Sequence, residues 1–177
     1  MAQTITSANT SINSTRLPKV YGMLGKLIKK HHIYGGAMLD YGCGKYTEHL
    51  QAEAKRFGFS DWRGYDKFNR TDEENKDAEY WMKPGLYDLA VCSNVLNVID
   101  DREEIQKIVD SVIASANVSI FTIYEGDGSG IGRQTKKDCY QRNAKLEEYW
   151  TFFMNNNVPC YKVVTLENNY FIVDKRL

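Results

Sequence analysis

The chain has 177 residues, 42% of them hydrophobic and 26% charged, the make-up of a globular domain with its own core rather than of a disordered or collagen-like segment. At this size roughly 70% of the unfolded chain's surface is buried on folding, so neither disulfides nor a structural metal is required. The 23 basic and 23 acidic residues cancel to a formal net charge of +0, which excludes a global field drawing the protein to nucleic acid or an anionic membrane and leaves only local attraction.

Residues 1–14 are polar and rich in Ser, Thr and Asn; they read as a flexible leader to a single domain spanning 15–177. They lack the apolar run of a secretory signal, and no stretch reaches the ~18 apolar residues of a membrane span. Cys43, Cys92, Cys139 and Cys160 are scattered without metal-ligand spacing, so no metal site is expected and a cytoplasmic protein with reduced thiols is. Leu17, Val20, Tyr21, Leu24, Leu27 and Ile28 recur at helical spacing, Pro18 suits a first turn, and Gly35-Gly36 ends the pattern. A short apolar strand, AMLDY (37–41), runs into a glycine turn. Thr47 then stands as an N-cap before a helix carrying Leu50, Ala54 and Phe57, with Gly58 at its end.

WRGYD (62–66) reads as a second strand. The polar stretch from Lys67 to Pro84 is left open, with a strand or helix near AEYWM. LYDLAVCSNVL (86–96) and NVSIFTIY (117–124) read as buried strands, with a helix over Ile105, Ile108, Val109, Val112 and Ile113 between them. The polar loop EGDGSGIGRQTKKD precedes a helix expected to hold Tyr140, Ala144, Tyr149, Phe152 and Phe153. CYKVVTL and YFIVD, joined across Glu167-Asn168-Asn169, form a closing hairpin. The alternation predicts an α/β fold with a mostly parallel central sheet, a C-terminal antiparallel hairpin and helices on both faces.

The strongest local signal is LDYGCGKYTEHL, in which Asp40 ends a strand and Gly42 and Gly44 form the turn before a helix. Ligands of doubly wound sheets lie outside the carboxyl ends of the strands, where such a backbone permits close approach. A dinucleotide fingerprint fails here, because Thr47 replaces its third glycine and Asp40 would repel a pyrophosphate. S-adenosylmethionine carries an ammonium and a sulfonium and no phosphate, so a strand-end carboxylate suits it. Asp66, ending the second strand, is placed to accept hydrogen bonds from ribose hydroxyls.

On LDYGCG, RGYD, YDLAVCSNVLNVI and the closing hairpin, the chain after residue 15 resembles the class I S-adenosylmethionine-dependent methyltransferases, which have a Rossmann-like fold. The resemblance implies S-adenosylmethionine as cofactor, with Asp40, Gly42 and Gly44 around its methionine part and Tyr41 and Cys43 in the same turn. It implies Asp66 and the adjoining Lys67 at the ribose, Ser93 and Asn94 near the sulfonium, and Asp77 in the region beside the adenine, after a third strand of the family order. The sequence departs from the family at Tyr46, where a glycine is usual.

Methyl transfer is an in-line displacement that depends on positioning the acceptor, so a dedicated base is not obligatory. Asn94, Asn97, Tyr124 and Glu125, at or beyond strand ends, are the candidate catalytic residues: the two amides to position an acceptor, the other two to assist deprotonation. Arg133, Lys136, Lys137, Tyr140 and Arg142 follow the fifth strand of the family order. Basic and aromatic side chains beside a glycine-rich loop suit an acceptor that bears phosphate, whether nucleotide or nucleic acid. A solvated polar loop is the alternative. Ser93-Asn94-Val95-Leu96 lacks the Pro-Pro-aromatic motif of amino methyltransferases acting on DNA bases and the Pro-Cys pair of cytosine C5 enzymes. A small molecule, nucleotide or nucleic acid therefore remains the acceptor class. A catalytically inactive binding or regulatory module on the same fold is the rival reading; cleavage or cyclisation of S-adenosylmethionine without an acceptor is another.

Overall fold

The computed structural model describes residues 16–83, 85–136, 139–155, 163–167 and 170–176. The elements run α1 (Lys19–His31), β1 (Ala37–Tyr41), α2 (Glu48–Arg56), β2 (Asp61–Tyr65), α3 (Asp72–Met82), β3 (Tyr87–Ser93), a short 3-10 turn (Leu96–Val98), α4 (Arg102–Ser115) and β4 (Ala116–Thr122). They continue with β5 (Arg133–Lys136), β6 (Cys139–Gln141), α5 (Leu146–Met154), β7 (Val163–Glu167) and β8 (Tyr170–Asp174). Six strands form one sheet in the order β2-β1-β3-β4-β8-β7. β2, β1, β3 and β4 are mutually parallel, whereas β8 is antiparallel to both β4 and β7. This is the predicted α/β architecture, hairpin included. The proposed leader, Cys160 and the turn residues Asn168-Asn169 lie outside the described residues.

The central strands are apolar on both faces because both faces are covered. On one face, Tyr21, Leu24 and Leu27 of α1 and Leu50 and Ala54 of α2 pack against Met38, Leu89, Val91, Val118 and Ile120. On the other, α3, α4 and α5 bury Leu39, Ala90, Cys92 and Phe121, and Phe153 stacks on Phe171 with centroids 4.1 Å apart. Because α2 joins β1 to β2 over one face and α3 joins β2 to β3 over the other, the winding reverses between β1 and β3. That reversal opens a crevice at the carboxyl ends of the strands.

The undecided stretch after Lys67 is a helix. Thr71 launches it with a capping box: its hydroxyl accepts from Glu74 N, and the Glu74 carboxylate accepts from Thr71 N. The chain therefore passes from β2 through α3 straight to β3, and no strand of the described residues lies beyond β2. That edge is blunted by charge. Arg63 stacks on Trp81 at 4.1 Å and pairs with Asp61 and Asp77, which disfavours addition of another strand.

A second correction concerns the polar loop. Arg133–Lys136 and Cys139–Gln141 form a two-stranded antiparallel ribbon, so Tyr140 belongs to a strand, Ala144 precedes the helix, and α5 starts only at Leu146. The ribbon is polar and held by hydrogen bonds, so it leaves no apolar alternation to read. The basic end of α1 also has partners. Lys30 Nζ pairs with Glu167 at 2.8 Å, with His31 Nε2 3.2 Å from the same oxygen. Arg176 donates to the carbonyls of His31 and His32 at 2.7 and 2.8 Å while pairing with Asp174. The final residues thus satisfy carbonyls that the helix end leaves open.

Candidate functional site

The turn after β1 is built by two glycines in the left-handed region, Gly42 (φ 81) and Gly44 (φ 77), a conformation that other residues adopt at a cost. A Cβ at Gly42 would run into the Val95 side chain, so the segment after β3 closes directly over the turn. Gly42 N and Cys43 N both donate to Tyr65 O, at 2.7 and 3.2 Å. Gly44 N donates to Asp66 Oδ2 at 2.9 Å. The other Asp66 oxygen accepts from Phe68 N, Asn69 N and Asn69 Nδ2, each at 3.0 Å. Asn75 clasps the Asp66 backbone from α3, accepting from its N–H and donating to its carbonyl. The sequence-predicted pair Asp40 and Asp66 is thus brought to one place, and Asp66 ties the strand-end turns of β1 and β2 together.

Asp40 is 2% exposed and points to the α1 side of the sheet. Tyr21 Oη donates to its Oδ2 at 2.6 Å, and the Trp62 indole N–H donates to Tyr21 Oη at 2.9 Å. Burial pushes the Asp40 carboxyl up to about 7, the Tyr21 bond pulls it down, and the charge of Asp66 pushes it up. The Cys43 and Cys92 thiols are likewise pushed up, chiefly by burial, which makes both inert as nucleophiles at neutral pH. Tyr41 stacks on Tyr65 with centroids 4.8 Å apart. Lys67 and Lys45 lie over the rings of Phe68 and Tyr46, at 5.8 and 5.6 Å. Tyr46 itself is exposed. Thr47 precedes α2 as expected, yet its hydroxyl caps nothing and instead accepts from Arg70 at 3.0 Å. Asp77 is not brought to the turn. It sits on α3, paired with Arg63 at the β2 edge, and the third strand it was expected to follow is not among the described residues.

Beyond β3 and β4 lies a second cluster. Ser93 Oγ is 2.8 Å from Thr122 Oγ1, and Asn94, exposed with φ 57, donates its N–H to Thr122 O at 2.8 Å. Asn97 is buried. Its Nδ2 donates to Gln141 Oε1 at 3.2 Å, and Gln141 Nε2 donates to Tyr124 O at 3.1 Å. Arg142 N donates to Asn97 O at 2.8 Å, and the Arg142 guanidinium to Asp100 O at 3.1 Å. Asn143, buried with φ 55, pins the glycine loop: its side chain accepts from Asp127 N and donates to Ile131 O, and its carbonyl accepts from Gly130 N.

The predicted catalytic residues separate on inspection. Glu125 accepts from Leu146 N at 2.7 Å and so holds the start of α5, whereas Tyr124 is 60% exposed. Of the predicted acceptor residues, Arg142 is engaged with the 96–100 segment and Tyr140 lies against Gly132, where its hydroxyl leaves no room for a Cβ. Arg133 reaches Asp127 only at 3.9 Å. Lys137 and the side chain of Lys136 lie outside the described residues. Sequence reasoning gave no site role to Tyr21, Trp62, Gln141 or Asn143. Tyr21 occupies an apolar stripe, so only its hydroxyl hinted at a polar role. Among the described residues no cluster of three or more His, Cys, Asp or Glu is arranged to hold a metal ion, and no helix is long and apolar enough to cross a membrane.

No protein-family model matches the sequence, and no curated protein matches it. Solved structures do. A S-adenosylmethionine-dependent methyltransferase from Clostridium acetobutylicum superposes with a TM-score of 0.58 at 15% identity, covering 93% of this chain and 92% of the other. A putative type 11 methyltransferase from Sulfolobus solfataricus gives 0.55 at 16% identity, over 92% and 95%. The phosphoethanolamine N-methyltransferase 2 of Haemonchus contortus, in complex with phosphomonomethylethanolamine and S-adenosylhomocysteine, gives 0.52 at 15% identity, over 86% of this chain and 41% of that one. With the reversal at β1, the glycine turn and the antiparallel hairpin, these likenesses show that the chain has the fold of the class I S-adenosylmethionine-dependent methyltransferases.

Proposed function

We propose that this protein binds S-adenosylmethionine and transfers its methyl group to an acceptor. The observation that carries the reading is the Gly44–Asp66 bridge, which joins a glycine turn and a carboxylate at the switch point of the sheet. The residue chemistry fits the cofactor: two buried carboxylates, Asp40 and Asp66, lie at the turn, and the ligand carries positive charge and hydroxyls and no phosphate. When bound, the cofactor supplies a sulfonium-activated methyl group. Asp40, with Tyr41, Gly42, Cys43 and Gly44, accommodates the methionine part. Asp66 and Lys67 take the ribose, and Ser93 and Asn94 form the wall nearest the methyl group. Asp66 already accepts four hydrogen bonds, about the capacity of a carboxylate. Ribose hydroxyls therefore replace donors of the Phe68–Asn69 turn while Gly44 keeps its bond.

The acceptor half orients its substrate through Asn94 and Asn97, with Tyr124 nearby and Glu125 steadying α5. The phospho-amine carried by the Haemonchus contortus enzyme supports a phosphate-bearing acceptor here as well, met by Arg133 and Lys136 of β5 and by Lys137, next in the sequence. A non-catalytic binding module has one observation in its favour, the use of Glu125 to hold α5, which engages one of the two residues expected to assist deprotonation.

Calorimetric titration with S-adenosylmethionine and S-adenosylhomocysteine tests the cofactor. Saturable micromolar binding of both is expected, and no binding by folded protein overturns the proposal. Transfer of labelled methyl to phosphate-bearing acceptors then separates enzyme from module. Charge reversal at Arg133, Lys136 and Lys137 abolishes acceptor binding and spares the cofactor; equal loss of both means that the ribbon is structural.

A further inference from the structure

Asp40, the more deeply buried of the two carboxylates at the turn, points into the α1 side, and its surroundings are specific. Three elements converge on it: β1 carries the carboxylate, α1 supplies the Tyr21 hydroxyl at 2.6 Å, and β2 supplies the Trp62 indole N–H that bonds Tyr21 Oη at 2.9 Å. Tyr21 is 0% exposed and Trp62 8%, so neither bond competes with water. An indole N–H can only donate. Its bond therefore fills an acceptor site of Tyr21 Oη and leaves the phenolic proton to be given to Asp40. The chain of donors has a fixed direction that ends on the carboxylate, and a donated hydrogen bond favours the ionised form.

We propose that Tyr21, oriented by Trp62, is a positioning residue that keeps Asp40 ionised and fixed for the cationic end of the cofactor, making cofactor uptake dependent on pH. The inference rests on the S-adenosylmethionine reading above. The groups facing Asp40 from every side are few: Tyr21 from α1, Cys43 from the turn, Asp66 from the segment after β2 and Cys92 from β3, with the neutral Trp62 on β2. Among the described residues none of these is a cation. The Tyr21 bond stabilises the charge against burial and Asp66, and the resulting midpoint of about 7 lies where physiological pH changes the charge.

The test compares S-adenosylhomocysteine affinity of the wild type and Tyr21→Phe across pH 6 to 8.5. Taking the ratio of the two affinities cancels the titration of the ligand's own amine. The expected ratio is about tenfold at pH 6, about fivefold at pH 7 and under about twofold at pH 8.5, the pattern of a carboxyl whose midpoint rises by roughly one unit when the bond is lost. A ratio that stays constant with pH, or equals one throughout, overturns the proposal. Trp62→Phe is the second variant, expected to shift the ratio in the same direction by a smaller factor; it serves if Tyr21→Phe does not fold. In the ligand-free proteins, the 13C carboxyl resonance of Asp40 reports its titration directly, and its midpoint should rise in both variants. Failure of the wild type to bind either cofactor form at any pH defeats the methyltransferase reading alone. An Asp40 midpoint unmoved by either substitution defeats the role of Tyr21.

Discussion

The two halves of the carboxyl edge are built from different chemistry. Around β1 and β2 the site consists of backbone amides closed on two buried carboxylates, with Gly44 bonded to Asp66 and Tyr21 to Asp40. Around β4 and the ribbon it consists of neutral amides, with Asn97, Gln141 and Asn143 bonding one another or backbone groups. Carboxylates confer charge selectivity at the cost of desolvation. Amides confer shape without a field: Gln141 and Asn143, each bonded through both its oxygen and its nitrogen, rigidify what they join. One half is suited to choosing a cationic ligand and the other to holding a wall in place.

If that division is real, each half can be damaged separately. The largest effect is expected from Asp66→Ala. It removes a charged acceptor of hydrogen bonds, each worth roughly 1.5–3 kcal/mol, and should weaken cofactor affinity by ~10–100-fold in calorimetry. Unchanged affinity in a folded variant removes Asp66 from the site. Gln141→Leu should reverse the pattern, lowering methyl transfer by roughly tenfold through a displaced wall while S-adenosylhomocysteine affinity stays within about twofold. A matched loss of affinity would mean that the halves are one unit.

Asp40→Asn sharpens the electrostatic side of the contrast. Asp40 has its carboxyl raised from 3.8 to about 7 in the folded protein, so the folded state holds a proton that the unfolded chain has released between those values. Its contribution to stability is full below about pH 4 and is lost as pH rises through 7, a change on the order of 4 kcal/mol. The neutral amide should therefore raise Tm at pH 8 and leave it nearly unchanged at pH 4, and it should weaken the cofactor at pH 8, where Asp40 is ionised, but not at pH 4, where the carboxyl is already neutral. A Tm gain independent of pH would contradict this account. The smallest effect is expected from Arg176→Ala, remote from both halves. Its partly exposed guanidinium should be worth ~1 kcal/mol, a fall in Tm of about 2–4 °C, with cofactor affinity intact.

What the sequence disclosed follows from where apolar side chains decide structure. β1, β3, β4 and β8 are apolar runs buried on both faces, and α1 and α4 carry clear helical stripes, so their order and the α/β class were readable. The juxtaposition of Asp40 and Asp66 with the glycine turn was readable because both stand at the ends of strands that the apolar runs place side by side. The α3 segment was not, since Tyr80 and Trp81 beside acidic residues fit either a strand or a helix, and the Thr71–Glu74 box alone distinguishes them. The ribbon was hidden because Arg133–Lys136 has no apolar face, and its anchors Gln141 and Asn143 are polar residues whose partners lie far away in sequence. Asp77 was misplaced for a related reason: the expected third strand is replaced by a direct passage through α3.

The Arg176 contact with α1 spans 144 residues to His32 and 145 to His31. β8 must also slide in between β4 and β7 before the sheet is continuous. Contacts of such long separation close slowly, because loop entropy is lost before the contact is gained. During synthesis, then, β4 presents a bare edge until β8 has left the ribosome, and the helix that carries Tyr21 lacks the Arg176 clamp until that residue has emerged. Ribosome-held chains in which β8 and Arg176 are still inside the exit tunnel should be protease-sensitive in α1, and chains in which Arg176 has emerged should be protected. The turn that joins Gly44 to Asp66, made early in synthesis, is in this sense steadied only when Arg176 arrives.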